Sequence, residues 1–524
     1  MAEKRPQSTE KTLQAPRLEP GGYYGCHIAD PAVAENTFRG MEPEDRSLPS
    51  FAESVHLLPE PFWPGHEDTI KCWWRTWELA FTRFRRPTRE NGFIANFITT
   101  SFADCLFMWD SVFIIRFAGY GARVFNPQRT LDNLYAMQQQ DGFISRQVRE
   151  KDGGECFHRF DASSTGPNIL PWGEWDYYEM TGDSGRLKMV FPVLVAYHRW
   201  LRTYRTWPDG SYWTTGWGSG MDNQPRNPGP RREWHHGWLS WVDATIQQAF
   251  SADILCRMGA ELGRSADVAD MAAEKKELAE FINGKMWDGK QAFYFDRDRE
   301  GNRTSVKTIG AYWALLAGLV PADRVEGFVA HLADPAEFCR PHRVPTLSAD
   351  HPDYRRPAGG YWLGGVWPPT NYMVMRGLDL AGKGALAHEI ALNHLENVVE
   401  VFRKTGTVWE NYAPEEPGPG DPASGDFVGW GGVGPVAVFL EYVLGLRQHG
   451  RASRLLWDVR LLEEHGVRRY PFGRDGLVDL RCASRASAGD KPRVEISSSV
   501  PLELIVRWQG GEETIKCAGN RPPG

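Results

Sequence analysis

The chain has 524 residues and a formal net charge of −7, with 60 Lys and Arg against 67 Asp and Glu. It contains no basic stripe interleaved with aromatic residues, which argues against nucleic acid as a partner. The first twenty residues lack an apolar signal segment, and no apolar run reaches the length of a membrane span. The eight cysteines are scattered without a C-x-x-C pair, which argues against structural zinc and a disulfide framework. We therefore expect a cytoplasmic protein with no membrane partner, no metal and no cofactor. Its composition is compatible with a homo-oligomer.

The two ends of the chain differ from its middle. Residues 1–21 are charged and poor in apolar side chains, which predicts a disordered tail. Residues 22–66 carry Gly and Pro without a clear period, and we expect them to form a strap across the main domain. Alternating apolar and polar residues, as in LVDLR at 477–481, predict strands, so residues 450–524 are expected to form a small β-rich C-terminal module.

Residues 67–449 show the three- and four-residue apolar spacing of helices. About twelve such segments begin near residues 67, 104, 127, 170, 184, 240, 265, 306, 321, 367, 382 and 430. Their connections alternate in length, and the long ones run roughly over 87–103, 140–169, 204–239, 285–305, 333–366 and 405–429. Hairpins in an antiparallel ring produce this alternation, so the pattern predicts an all-α (α/α)6 toroid of six helical hairpins with every long loop on one rim. A helical-repeat scaffold is the alternative, but no fixed sequence period links the segments.

Two acidic residues stand out in the long loops. Asp222 lies in GWGSGMDNQPR at 216–226, and Glu410 lies in VWENYAPE at 408–415. Cleavage of a glycoside needs such a pair, with one carboxyl group protonated and the other ionised. The chain also has 22 tryptophans, many of them in Gly- and Pro-rich stretches, and nearby indoles could raise the pKa of an acid. An ordinary turn with an exposed acid would satisfy the same local pattern.

Several blocks, in order, resemble α-glycosidases grouped with processing mannosyl-oligosaccharide glucosidase, bacterial mannosylglycerate and glucosylglycerate hydrolases and, more distantly, trehalases. SGMDNQPR at 219–226 is similar to the block with the general acid of that family, and WENYAPE at 409–415 to the block with its general base. The further blocks are MWDSVF at 108–113, DGFISRQ at 141–147, TGPNIL at 165–170 and GGYWLGGVWPPTNY at 359–372.

The resemblance implies an inverting hydrolase with Asp222 as general acid and Glu410 as general base, acting through one water. The two carboxyl groups should then lie ~6.5 to 9.5 Å apart. The residues expected to bind substrate are Trp109, Asp110, Gln140, Asp141, Arg146, Gln147, Trp175, Trp217, Gly218, Asn223, Arg226, Trp362, Trp367, Asn371, Tyr372, Tyr412 and Trp430.

Three positions depart from the family pattern and concern the leaving group. Asn223 stands where the family often has a second Asp, Gln224 replaces a common aromatic residue, and Leu363 replaces an Arg. Because the helices begin near residue 66, there is no room for the large N-terminal β-domain of the eukaryotic glucosidases. We expect a small α-glucoside or α-mannoside, such as glucosylglycerate, mannosylglycerate or an α-disaccharide, with Arg226 either a surface charge or a contact for a glycerate carboxylate.

Two other functions fit a toroid. A sugar isomerase or 2-epimerase would need paired histidines, for which His158 and His342 are the candidates in the long loops. A carbohydrate-binding toroid without catalysis would need neither acid.

Overall fold

The computed structural model describes residues 29–44, 46–229 and 231–519. Within them lies a large helical region followed by β-strands. Each of the twelve predicted segments coincides with a helical element, and the main helices are Glu67–Phe81, Met108–Ala118, Thr130–Ala136, Leu170–Thr181, Ser184–Tyr204, Val242–Glu261, Ala269–Phe281, Trp313–Leu316, Ala322–Ala330, Pro368–Leu380, Gly384–Thr405 and the π-helical Gly434–Val443. The predicted tail 1–21 lies outside the described residues.

Burial differs strongly among the helices. Every residue of Met108–Ala118 is buried, and so is every residue of Gly434–Val443. In contrast, Ala269–Phe281 buries only Met271, Glu274 and Leu278. A helix that is apolar all round is a core helix, whereas one with a single apolar stripe covers the core from outside. The helical region therefore has inner and outer helices.

Short connections join consecutive helices at one end. Helix Leu170–Thr181 ends at Gly182, whose φ of 68° gives the left-handed turn that commonly ends helices. The side chain of Asp183 then accepts the backbone N–H of Arg186 at 3.0 Å and caps helix Ser184–Tyr204. Since both signals are local, the hairpin can be read from the sequence.

The long connections contain short elements of their own. Three two-stranded ribbons occur, formed by Phe84–Arg85 with Phe97–Ile98, Cys105–Phe107 with Gln147–Arg149, and Trp287–Asp288 with Phe293–Tyr294. A one-turn helix, Gly216–Ser219, lies in the loop after Ser184–Tyr204. The second ribbon brings the start of helix Met108–Ala118 next to the loop that holds Arg146, because the Met108 N–H donates to the Arg146 carbonyl at 2.8 Å.

The C-terminal strands form two four-stranded sheets. One has the order Glu60–Phe62, His465–Phe472, Gly476–Cys482, Val494–Ser498, and the other Gly511–Cys517, Leu502–Trp508, Arg454–Asp458, Leu446–His449. The first sheet recruits residues 60–62 by antiparallel pairing of Pro61 with Val467. The segment before the first long helix therefore contacts both the helices and the β region.

A cavity of about 1150 Å³ separates helix ends from C-terminal strands. Its lining includes Arg116, Trp172, Asp176, Arg376 and Glu441. Asp222 and Glu410 are not among its lining residues, so this cavity and the candidate site are different places. Among the described residues, no helix has both the length and the apolar character needed to cross a membrane.

Candidate active site

A tight turn positions Asp222. The hydroxyl of Thr215 caps helix Gly216–Ser219, and the helix ends at Gly220 with a φ of 76°. A Cβ atom at Gly220 would lie 3.1 Å from the indole of Trp109. Glycine therefore satisfies both the left-handed turn and the close approach, and Asp222 follows two residues after this turn.

Backbone contacts and one hydroxyl hold Glu410. Its N–H donates to the Ser424 carbonyl at 3.0 Å, and the Ser424 N–H donates back to the Glu410 carboxylate at 3.2 Å. The Trp430 indole N–H donates to the Glu410 carbonyl at 2.9 Å. The Tyr361 hydroxyl also hydrogen-bonds the carboxylate. Glu410 is 7% exposed, so both its backbone and its side chain are fixed.

Four charged side chains meet in this region: Asp110, Arg146, Asp222 and Glu410. Asp110 lies in the first turn of helix Met108–Ala118. Burial raises the pKa of Asp110, the Arg146 guanidinium opposes that rise, and the carboxylates of Glu410 and Asp222 add to it. Arg146 donates to the Trp217 carbonyl. These mutual effects show that sequence blocks 108–113, 141–147, 216–226 and 408–415 converge on one place.

Both predicted catalytic acids have a raised pKa. Burial raises the pKa of Asp222 to about 6 against the effect of Arg146, which favours the ionised form. The pKa of Glu410 is raised to about 7. Burial is the main cause and the Asp222 charge acts in the same direction, while the N–H of Ser424 and the hydroxyl of Tyr361 act against the rise. Because the two groups interact, these values describe the pair, which holds about one proton between them near neutral pH.

A stack of indoles forms one wall beside Glu410. The rings of Trp362 and Trp367 are 3.7 Å apart and nearly parallel, and Trp430 lies 5.6 Å from Trp367. The exposed fractions of Trp362 and Trp367 are 1% and 0%. Trp362 and Trp367 therefore pack the loops around the acids, and Trp430 contacts Glu410 through its indole N–H.

Arg226 has a different environment from either alternative that the sequence left open. Its guanidinium donates to Asp243 at 2.6 and 2.8 Å and to Asp296 at 2.8 and 2.6 Å. The side chain is fully buried and lies over the Trp241 ring at 4.2 Å. Arg226 is therefore not a surface charge, and four of its five N–H donors are occupied by two carboxylates.

Other expected binding residues lie apart from the four charged groups. Trp175 and Tyr372 line the 1150 Å³ cavity, where the Tyr372 hydroxyl donates to Glu441 at 2.8 Å. Asp141 is buried and accepts from Arg159 at 2.5 Å and from the Trp200 indole at 2.9 Å. The position of Tyr372 follows from the direction of its helix, Pro368–Leu380. Tyr372 lies more than one turn after Trp367, and so nearer the opposite end of the helical region.

The remaining expected residues have these positions. The Asn371 side chain accepts the Val344 N–H at 2.8 Å, and the Tyr412 hydroxyl accepts the Trp409 N–H at 3.2 Å. The Gln140 carbonyl accepts the Asp30 N–H at 3.0 Å, and the Gly218 N–H donates to the Thr215 hydroxyl at 2.9 Å. The Gln147 side-chain oxygen lies 3.5 Å from the Arg146 guanidinium. Most of these contacts shape loops, and Gln147 is the member that adjoins the charged group.

Two residues that adjoin the acids were missed by sequence reasoning. Tyr361 hydrogen-bonds Glu410 and has an unusual φ of 69°, a backbone conformation that costs energy outside glycine and is concentrated at functional sites. Its position in GGYWLGG was a signal, because that block carries a tyrosine before its tryptophan. Glu233 raises the pKa of Asp222, but no local motif marks it.

Comparisons with known proteins agree with this geometry. A mannosylglycerate hydrolase from Thermus thermophilus is 26% identical over 268 residues, which are 40% of this chain and 62% of that protein. A probable mannosyl-oligosaccharide glucosidase from Schizosaccharomyces pombe is 26% identical over 279 residues, 47% of this chain and 33% of that protein. This chain thus spans less than two thirds of either relative. A crystal structure of a Thermus thermophilus mannosylglycerate hydrolase with glucose, 19% identical, has a TM-score of 0.57 and covers 70% of this chain and 99% of that one.

These matches define the class of protein: the chain is a glycoside hydrolase. Residues 105–427 match the family described as mannosylglycerate hydrolase MGH1-like glycoside hydrolase domain, and the chain belongs to that family. The matched range contains Asp110, Arg146, Asp222 and Glu410.

Proposed function

We propose that this enzyme hydrolyses an α-linked glucoside or mannoside with inversion, with Asp222 as general acid and Glu410 as general base. The observation that carries the proposal is a pair of carboxyl groups with pKa values near 6 and 7, held beside Asp110 and Arg146. Glycoside cleavage by inversion needs one protonated and one ionised group at neutral pH, and such a pair supplies both.

In the proposed reaction Asp222 donates its proton to the glycosidic oxygen as the bond to the anomeric carbon breaks. Glu410 accepts a proton from a water molecule that attacks the anomeric carbon from the opposite face. The hydroxyl of Tyr361 and the N–H of Ser424 stabilise the ionised form of Glu410, as a base requires. Trp109, Asp110 and Arg146 are placed to contact the glycone, the sugar whose anomeric carbon is attacked by water.

The relative pKa values alone would give the roles in reverse, because the pKa of Glu410 is the higher one. A coupled pair shares its proton, so the free-enzyme values do not assign it to one residue. The assignment of Asp222 as acid therefore rests on its block at 219–226, and a separation of ~6.5 to 9.5 Å between the carboxyl groups stays a prediction.

We also propose that the helices form an (α/α)6 toroid over 67–449, with the strap 22–66 and the β-rich module 450–524 packed on it. The presence of inner and outer helices supports this arrangement, as does packing between consecutive helices such as Val242–Glu261 with Ala269–Phe281 and Pro368–Leu380 with Gly384–Thr405. The acids then lie at the end of the ring that carries the long loops.

The proposed substrate is a small α-glycoside, since the relatives include enzymes named for mannosylglycerate and for a mannosyl-oligosaccharide. The epimerase alternative is less well supported, because His342 is buried 3.0 Å from His394, while His158 is exposed in another loop. A cytoplasmic location and a homo-oligomeric state stay predictions from the sequence.

A panel of α-glucosides and α-mannosides tests the reaction, with wild type, Asp222→Asn, Glu410→Gln and the control Glu416→Gln. Glu416 is an exposed acid in the same loop as Glu410. We expect losses of about 10³-fold or more in kcat for the first two variants, in the range of lost acid or base catalysis combined with a lost charge, and none for the control. Proton NMR of the first-formed sugar should show the β-anomer. An α-anomer would refute inversion, and full activity in both variants would refute the site.

A further inference from the structure

Two tryptophans form an aromatic surface next to the proposed acid. The rings of Trp217 and Trp234 have centroids 3.9 Å apart and are tilted by 43°. Phe157 lies edge-on to Trp217 at 5.8 Å, and Arg146 lies over Phe157 at 4.8 Å. Trp234 is 44% exposed, so this surface begins in the site and reaches solvent.

The backbone fixes the surface against the turn that carries Asp222. The Trp217 N–H donates to the Glu233 carbonyl at 3.1 Å. A Cβ atom at Gly216 would lie 2.2 Å from the Asp222 carbonyl and 2.8 Å from the Glu233 Cα, so the two segments touch there. Because a general acid protonates the leaving-group oxygen, a solvent-facing surface beside Asp222 is placed to contact the leaving group.

The charges around this surface disfavour an anionic leaving group. Asp222 interacts with Asp110, Glu410 and Glu233, and the guanidinium that interacts with Asp110 and Asp222 is that of Arg146. Arg226 is fully buried and paired with Asp243 and Asp296. Arg232, on the same loop as Glu233, lies 3.9 Å from the Asp353 carboxylate. A glycerate carboxylate would therefore meet a group of acids, including the negative charge that the singly protonated Asp222–Glu410 pair retains.

We propose that Trp217 and Trp234 form a leaving-group subsite for the pyranose ring of a neutral sugar, so that the substrate is an α-linked disaccharide or longer saccharide. Stacking of an apolar ring face on an indole suits this subsite, whereas the three-carbon chain of glycerate offers no such face. The inference rests on the proposed hydrolysis, since it assigns the side of Asp222 on which the leaving group lies.

The same loop offers a matched control. Trp238 is 59% exposed and stacks on Trp207 at 5.8 Å, and His236 packs edge-on against both indoles. This second cluster resembles the first in exposure and composition, but no contact joins Trp238 to Trp217 or Trp234 among the ring pairs of the described residues. A general effect of losing an exposed indole from the loop would appear in both variants.

The test compares wild type, Trp234→Ala and Trp238→Ala on α-glucobioses and α-mannobioses, glucosylglycerate, mannosylglycerate and the two α-glycosyl fluorides. Fluoride is a leaving group without a ring, so the ratio of kcat/KM for a disaccharide to that for the fluoride isolates the subsite. We expect the kcat/KM of the wild-type enzyme for a disaccharide to exceed its kcat/KM for glucosylglycerate and for mannosylglycerate by tenfold or more. Trp234→Ala should lower the ratio about tenfold, mainly through KM, and Trp238→Ala should leave it unchanged.

Three results would overturn the subsite. The first is faster hydrolysis of glucosylglycerate or mannosylglycerate than of every disaccharide. The second is an unchanged disaccharide-to-fluoride ratio of kcat/KM in Trp234→Ala, and the third is an equal fall of that ratio in Trp234→Ala and Trp238→Ala. Thermal unfolding of each variant checks that the fold is intact. If neither fluoride nor any glycoside is hydrolysed by the wild-type enzyme, the proposed function itself fails, and that result differs from the other three.

Discussion

Asn223 holds the backbone next to Trp362. The Trp362 N–H donates to the Asn223 side-chain oxygen at 3.0 Å, and the Asn223 amide donates to the Gly360 carbonyl at 3.0 Å. The residue after the proposed acid thus ties the loop of Asp222 to the segment that presents Tyr361 to Glu410. Because these hydrogen bonds join residues 137 and 139 positions apart, they couple the positions of the two catalytic candidates.

Asn223→Asp tests this coupling. A carboxylate can accept from Trp362 but cannot donate to Gly360, and it adds charge near Asp222. We expect a loss of about 1 to 3 kcal/mol in the free energy of unfolding, measured by urea titration, and a lower kcat. Asn302→Asp is the control, since Asn302 bonds only locally to Asp298 in an exposed turn. Equal stability of wild type and Asn223→Asp would contradict the coupling.

The pH dependence of kcat/KM should be a narrow bell. As the pH falls through about 6, the second carboxyl group of the Asp222–Glu410 pair is protonated and the base is lost. As the pH rises through about 7, the last proton leaves and the acid is lost. Only the singly protonated pair is active, so the maximum should lie between these values. Initial rates from pH 4 to 9 measure the curve, and a plateau over that whole range would contradict the prediction.

Tyr361→Phe removes a hydroxyl that favours ionised Glu410. The pKa of Glu410 should therefore rise, which moves the basic limb of the rate profile to higher pH. A hydrogen bond to a charged group contributes about 1.5 to 3 kcal/mol, so we expect kcat to fall roughly tenfold or more. Tyr354→Phe is the control, because the Tyr354 hydroxyl donates to Glu415 at 2.8 Å. A shift of the same size in both variants would show that the Tyr361 contact is not specific.

Arg226→Met should act on stability first. It leaves the buried carboxylates of Asp243 and Asp296 without their shared cation, and breaking a buried ion pair costs about 3 to 5 kcal/mol. Thermal unfolding should show a large fall in Tm, with a smaller one for Arg226→Lys. The exposed Arg231 provides the control Arg231→Met. An unchanged Tm with a raised KM for glycerate glycosides would instead restore Arg226 as a substrate contact.

Local chemistry determined much of this protein from the sequence. Apolar periodicity located the twelve helical segments, and Gly182 with Asp183 marked a hairpin, because a helix stripe, a left-handed turn and a cap each depend on a few adjacent residues. The family blocks marked Asp222 and Glu410 for the same reason, since each acid lies in a short, recognisable stretch. The long loops predicted that Asp222 and Glu410 share one rim, and the family blocks named Asp110 and Arg146 as substrate contacts.

The tertiary structure decided which partner each side chain has. Arg226 is paired with Asp296, 70 positions away, and Trp234 packs on Trp217 from the far side of a long loop. Tyr372 lies near Trp367 in sequence, but the helix that contains Tyr372 runs away from the acids, so Tyr372 lines the 1150 Å³ cavity instead. Charge and ring contacts of this kind depend on how distant segments pack, and packing has no period that one stretch of sequence reveals.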